Sequence, residues 1–136
     1  MIKNIVKDPI FLLQKSKDAT IMDMQTIIDL KDTFLAHRND CVGMAANMIG
    51  EQKKIIIFDY LGSYKVMLNP EIIDMKDKYI AEEGCLSLSG LRKTERFNRI
   101  EVKYYDEKFH ISKEKYEGWT AQIIQHEIDH CNGVLI

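Results

Sequence analysis

Gly118-Trp119-Thr120-Ala121-Gln122-Ile123-Ile124-Gln125-His126-Glu127-Ile128-Asp129-His130-Cys131-Asn132-Gly133 is the stretch around which the rest of the chain can be read. Its apolar residues Trp119, Ile123, Ile124 and Ile128 return at helical intervals, and Gly133 stands where a helix commonly ends. The spacing predicts a helix from about Gly118 to Asn132. Inside it, His126-Glu127-Ile128-Asp129-His130 has the form H-E-x-x-H. Residues four apart on a helix share a face, so the two imidazoles can converge on one metal ion with Glu127 beside them to handle protons. The chain has four histidines, and two of them sit in this arrangement, which makes an accidental pair of surface histidines the poorer explanation.

A catalytic ion is usually held by three protein ligands, with one position left open. Metallopeptidases with this motif commonly take the third ligand from downstream, yet Cys131 to Ile136 contain no Asp, Glu or His. Cys131 follows His130 directly and so points ~100° away from it around the helix. The third ligand is therefore expected upstream, among Cys41, Cys85, His37, His110 and several acids. Cys85 has the most unusual setting, Glu82-Glu83-Gly84-Cys85-Leu86-Ser87, where a neighbouring glycine would let the backbone approach a metal or substrate. Taken alone, that cysteine reads more readily as a small buried apolar residue than as a ligand. His37 and His110 read as surface residues.

Outward from this helix, the bulk properties narrow the function classes. A chain of 136 residues, 46% hydrophobic and 29% charged, suits one folded domain over residues 1–136. With 19 Lys plus Arg against 21 Asp plus Glu, the net charge of −2 offers no field for gathering nucleic acid or anionic lipid. No apolar run approaches the ~20 residues of a membrane span, and MIKNIVKDPI lacks the features of a signal peptide, so a cytoplasmic location is expected. Cys41, Cys85 and Cys131 cannot all pair, and read better as ligand, packing or reactive thiols than as a disulfide framework.

Local patterns predict the remaining elements. Ile21, Met24, Ile27, Ile28, Phe34 and Leu35 recur at near-helical spacing, predicting a helix over 21–38. Lys54 to Asp59 and Tyr64 to Leu68 read as strands joined by a turn at Leu61-Gly62-Ser63, the second broken by Asn69-Pro70. Ile72-Ile73-Asp74-Met75 and Tyr79-Ile80-Ala81 read as strands flanking a charged turn, and Arg99 to Tyr105 alternates with period two. The Lys-rich stretch from Lys103 to Lys115 reads as a solvated strand and turn. Helix, strands, then helix spells an α+β fold.

Three segments, in order, resemble the peptide deformylase family, whose motifs are G-φ-G-φ-A-A-x-Q, E-G-C-L-S and Q-H-E-x-D-H. Here they are Val42-Gly43-Met44-Ala45-Ala46, then Glu83-Gly84-Cys85-Leu86-Ser87, then Gln125-His126-Glu127-Ile128-Asp129-His130. The second and third match completely, and the likeness runs from the first helix to the last residue. The resemblance implies antiparallel and mixed β-sheets around a central C-terminal helix, plus an N-terminal helix. It implies that Cys85, His126 and His130 bind one divalent ion, usually Fe²⁺ in the family and often Zn²⁺ or Ni²⁺ after exchange. It implies hydrolysis of the formyl group from N-formylmethionyl peptides and nascent chains, with Glu127 moving the proton and the backbone N–H of Leu86 meeting the oxyanion beside the Gln of the first motif. The peptide would lie as an added strand beside Val42-Gly43-Met44, with a methionine-sized pocket at Trp119 and Ile123.

The first motif departs from the family twice. Cys41 stands where the first Gly belongs, and Met48 stands at the oxyanion Gln. A thioether cannot donate a hydrogen bond, and loss of one oxyanion donor costs on the order of 10²–10³ in turnover. A weakened deformylase is expected; the alternative is a non-catalytic or altered-specificity paralogue that binds metal or peptide. Some relatives carry a further C-terminal helix used at the ribosome. This chain stops soon after Gly133, so no more than transient ribosome proximity is expected.

Overall fold

The structure is a computed structural model and describes residues 1–135. Its frame is a five-stranded antiparallel sheet in sequence order: β1 (Gly43–Ala45), β2 (Ile55–Tyr60), β3 (Ser63–Cys85), β4 (Leu88–Tyr105) and β5 (Ile111–Glu117). Three helices accompany it: α1 (Pro9–Leu12), α2 (Met24–Ala36) and α3 (Gly118–Cys131). This is the expected α+β arrangement, with α3 carrying the two histidines.

The run Ile55-Ile56-Ile57-Phe58 shows why the sheet holds two helices apart. Successive strand residues face opposite sides. Ile56 and Phe58 pack with Val102, Tyr104, Ile124 and Ile128 on the α3 side. Ile55 and Ile57 pack with Ile27, Leu30 and Phe34 of α2 on the other. All four are fully buried, so this part of β2 has no polar face and reads as an unbroken apolar run, ending at Asp59.

β2 and β3 form a hairpin from Ile55↔Leu68 to Tyr60↔Ser63. Leu61 (φ 50°) and Gly62 (φ 78°) both take the positive φ that a two-residue hairpin turn demands. The expected break at Asn69-Pro70 does not occur, and β3 runs through it. The register slips between Leu68 and Glu71, so Pro70, which has no N–H, falls in the irregularity rather than in the ladder. Asn69, at φ 51°, secures the irregularity by exchanging side-chain bonds with Ala19 N (2.7 Å) and Ala19 O (3.0 Å).

The charged turn expected between Met75 and Tyr79 is also absent. β3 keeps register there, with Lys76 opposite Arg99 and Lys78 opposite Phe97. Residues 73–78 are all exposed, so a charged strand costs little desolvation, and Arg99 pairs across the ribbon with Asp77 at 2.7 Å. The hairpin of β3 and β4 therefore extends from Leu68↔Tyr105 to Cys85↔Leu88, closing at Leu86-Ser87. The predicted strand at Arg99 to Tyr105 is the last third of β4.

α2 is shorter than the predicted 21–38, because Asp23 accepts from Thr20 N (2.7 Å) in a turn that precedes the helix. α1 begins with Pro9 behind Asp8, whose carboxylate accepts from Ile10 N at 3.0 Å. Gly133 ends α3 as expected. At φ 74° it donates to His130 O (3.1 Å), and Val134 donates to Asp129 O (2.9 Å), the paired bonds of a Schellman stop.

On β3, Lys65 Nζ lies 2.6 Å from Glu114 Oε1 and 5.2–5.7 Å from the ring centres of Tyr60, Tyr104 and Tyr116. Burial alone would raise the Glu114 pKa, but bonds from Lys65 and Tyr104 outweigh it and hold the carboxylate below its ordinary value. A carboxylate held down in this way adds stability above its unfolded pKa and loses it as pH falls through the folded one. Lys65→Met is expected to cost about 1 kcal/mol at neutral pH, with the gap to the parent narrowing as pH falls below the ordinary carboxylate range. Urea midpoints across that range measure it.

Candidate metal centre

α3 places His126 and His130 on one face, their ring centres 4.9 Å apart and their Nε2 atoms 3.1 Å apart. Cys85 ends β3 at the tip of the long hairpin, and its Sγ lies 3.2 Å from His130 Nε2. The three donor atoms lie within 4.8 Å of one another, and among the described residues no other set of Cys, His, Asp and Glu converges this way. A tetrahedral divalent ion with ordinary bond lengths would set S···N at ~3.5 Å and N···N at ~3.3 Å. The Cys85–His130 and His130–His126 separations fall within a few tenths of an ångström of this, so the residues fit such an ion with a fourth corner free for a non-protein ligand.

Behind the ligands is a buried carboxylate. Glu83 Oε1 contacts His126 Nδ1 at 2.8 Å, which fixes the ring so that Nε2 faces the site. Arg96, 4% exposed, donates to Glu83 from Nε (2.9 Å) and Nη2 (2.7 Å) and to Asp129 from Nη1 (2.7 Å). Burial would raise the Glu83 pKa, but bonds from His126 and Arg96 hold it down to about 2. His126 is opposed by burial yet raised to about 10 by Cys85 and Glu83, whereas burial and the neighbouring His126 push His130 down to about 3.

Glu127, 4% exposed, is pushed up to about 7 by burial, and its Oε1 has no hydrogen-bond partner among the described residues. A buried carboxylate so placed in a ligand cluster is suited to exchange protons near neutrality. Gly43 makes room for it. A Cβ there would lie 2.8 Å from Glu127 Oε2 and 2.9 Å from Ile123 Cγ2. The sequence carries a signal for this contact only in the glycine itself, because Gly43 and Glu127 are 84 residues apart. Gly84 also meets a constraint from within the hairpin. A Cβ there would meet Leu91 Cδ2 at 3.2 Å, on the facing strand.

A cavity of about 500 Å³ opens onto the cluster, lined in part by Val42, Gly43, Met48, Leu86, Trp119 and Ile123. Met44, on strand β1 at the edge of the sheet, does not line this cavity: the residue is fully buried in the core beside α2. Trp119 is 61% exposed at the rim, while Ile123 serves both core and cavity. Met48 sits in the 3-10 turn Ala46–Ile49, and its Sδ accepts from Ala45 N at 3.5 Å. The neighbouring amides are engaged elsewhere, Asn47 Nδ2 with His130 O (2.8 Å) and Gln52 with Gln14.

The other candidates lie apart from the ligand cluster. His110 is exposed near Asp106, and His37 closes α2. Cys131 is buried in the core, its thiol pushed up to about 12 by burial. Cys41 lines the cavity, also pushed up to about 12, by burial and by Glu127.

A helix-borne histidine pair, a thiol from a hairpin tip and a buried glutamate together define a mononuclear metallohydrolase centre. The family model for polypeptide deformylase matches residues 2–136. The chain is 52% identical to the peptide deformylase of Clostridium beijerinckii over 136 residues, covering all of both chains. The crystal structure of peptide deformylase from Thermotoga maritima superposes with a TM-score of 0.88 at 33% identity, covering 99% of this chain and 95% of that one. A class I type b peptide deformylase from Acinetobacter baumannii, bound to Met-Ala-Ser, superposes with a TM-score of 0.88 at 26% identity, covering 99% and 97%. The chain belongs to the peptide deformylase family and is a metalloamidase.

Elemental analysis is expected to find about one divalent ion per chain. Cys85→Ala and His126→Ala should each lose it, and Cys131→Ala should retain it.

Proposed function

We propose that residues 1–136 act as one catalytic domain that removes the formyl group from the N-terminal formylmethionine of newly made polypeptides. The observation that carries this reading is Glu127, a buried carboxylate set beside the Cys85–His126–His130 cluster in a cavity bounded by an edge strand.

Cys85, His126 and His130 would hold the ion, Fe²⁺ natively on the family resemblance, with Zn²⁺ or Ni²⁺ able to replace it; a thiolate with two imidazoles suits all three. When bound, the ion supplies Lewis-acid polarisation and makes water acidic enough to attack at neutral pH. Glu127 takes the proton from the attacking water and returns it to the departing amine, so that the formyl C–N bond is exchanged for formate and a free N-terminus. The Leu86 N–H meets the charge that develops on the formyl oxygen. The peptide backbone pairs with the edge of β1 at Val42-Gly43-Met44, and its first side chain enters the cavity beside Ile123 and Trp119. The Acinetobacter baumannii relative, crystallised with Met-Ala-Ser, supports a peptide beginning with methionine.

Met48 weakens this chemistry. Its Sδ is turned to the Ala45 N–H, a thioether donates nothing, and Asn47 and Gln52 are committed elsewhere, so the oxyanion depends on Leu86. The enzyme works in the cytoplasm, on chains emerging near the ribosome. No helix is long and apolar enough to cross a membrane among the described residues, which accords with that setting.

N-formyl-Met-Ala should release formate, while N-acetyl and unblocked peptides should not. Glu127→Ala should keep its metal and lose on the order of 10²–10⁴ in turnover; turnover equal to the parent would remove the assigned base. Met48→Gln is expected to raise kcat on the order of 10²-fold. An unchanged kcat would mean that Leu86 alone suffices.

A further inference from the structure

Glu83 accepts four hydrogen bonds. Oε1 takes Arg96 Nη2 (2.7 Å) and His126 Nδ1 (2.8 Å), and Oε2 takes Arg96 Nε (2.9 Å) and Gln122 Nε2 (2.9 Å). A carboxylate has about four acceptor sites, so each is filled and the group cannot turn without breaking a bond. The fourth donor differs from the rest. Gln122 is half-buried and lines the cavity, whereas Arg96 is sealed beneath the hairpin.

Gln122 precedes His126 by four residues on α3 and so shares its face. Its amide has two ends, and only the Nε2 end can donate to Glu83; the other would set oxygen against oxygen. Glu83, which can only accept, makes that choice, and Tyr79 holds the far end of the amide in place, its hydroxyl donating to Gln122 Oε1 at 3.0 Å. Tyr79 stands opposite Arg96 in the β3–β4 ladder and four residues before Glu83, on the same face of the strand. The two cross-strand partners thus grip one carboxylate, Arg96 directly and Tyr79 through the amide.

We propose that Gln122 is a positioning residue, held in place by Tyr79, through which the wall of the substrate cavity holds Glu83 and so aims His126 at the metal. It rests on the deformylase reading only in calling the cavity's occupant a substrate. Without Gln122, one lone pair of Oε2 faces the cavity, and Glu83 is free to rock about its Arg96 bonds, carrying the His126 ring with it. Partners behind a metal ligand typically influence affinity or activity by 10–100-fold.

The test is Co²⁺ affinity of the full chain, measured by competition with a chromophoric chelator, for the parent, Gln122→Leu, Tyr79→Phe and the double variant. Gln122→Leu should bind Co²⁺ about tenfold more weakly. Tyr79→Phe, a milder change that keeps the ring, should weaken it less, and the double variant should be no worse than Gln122→Leu, because Tyr79 acts only through the amide. In the formate assay at saturating metal, kcat should fall in both single variants with KM little changed. Gln122→Leu with parental Co²⁺ affinity, losses that multiply in the double variant, or a change confined to KM would each overturn the proposal. A parent that binds Co²⁺ yet releases no formate would instead overturn the deformylase reading, with the affinity comparison still deciding the role of Gln122.

Discussion

The arrangement depends on one buried cation. Arg96, on β4, bonds Glu83 across the hairpin on β3 and Asp129 on α3, and so joins the strand that ends in Cys85 to the helix that carries both histidines. Hydrophobic packing brings α3 onto the sheet, but it is non-directional and would not distinguish small slides of the hairpin tip. A forked guanidinium with carboxylates on two elements does distinguish them. Removing one partner of such a buried pair usually costs about 3–5 kcal/mol, because it leaves the other charge unpaired. Geometry at the metal centre and attachment of the ribbon to the helix are therefore one constraint.

That constraint loads the interior with polar groups. Glu83, Arg96, Gln125, His126, Glu127 and His130 are all buried in a small protein. Most are bonded: Gln125 accepts from Phe97 N (2.8 Å) and donates to Phe97 O (2.7 Å), binding the helix to the hairpin as a further strand would. Glu127 Oε1 and His130 Nδ1 are exceptions among the described residues. Burial raises the Glu127 pKa to about 7, so its charged form weakens the fold.

The local parts of this design are legible in the sequence, and the long-range parts are not. The i, i+4 histidines and the stop at Gly133 follow from helical geometry alone, and both are in place. Cys85 as third ligand is different: the residues themselves leave several upstream candidates open, and only likeness to a family singles it out. Nothing local says that the tip of a 23-residue strand folds back onto a histidine 45 residues later. Asn69-Pro70 and the charges from Asp74 to Lys78 read as breaks because local rules assume a strand interior that must be bonded or buried. Here one segment is bulged and the other is solvated on both faces.

The position of β1 at the end of the sheet has a consequence for colloidal behaviour. An edge strand can pair with any extended segment, including one from a neighbouring copy, and a long open edge invites polymerisation. β1 is three residues long and gives way at once to a 3-10 turn, so its ladder is too short to template a growing fibril. At the opposite edge of the sheet, β5 carries Lys113, Glu114, Lys115 and Glu117, and charge does there what brevity does at β1. Neither edge of the sheet thus offers a long bare ladder to a neighbouring copy.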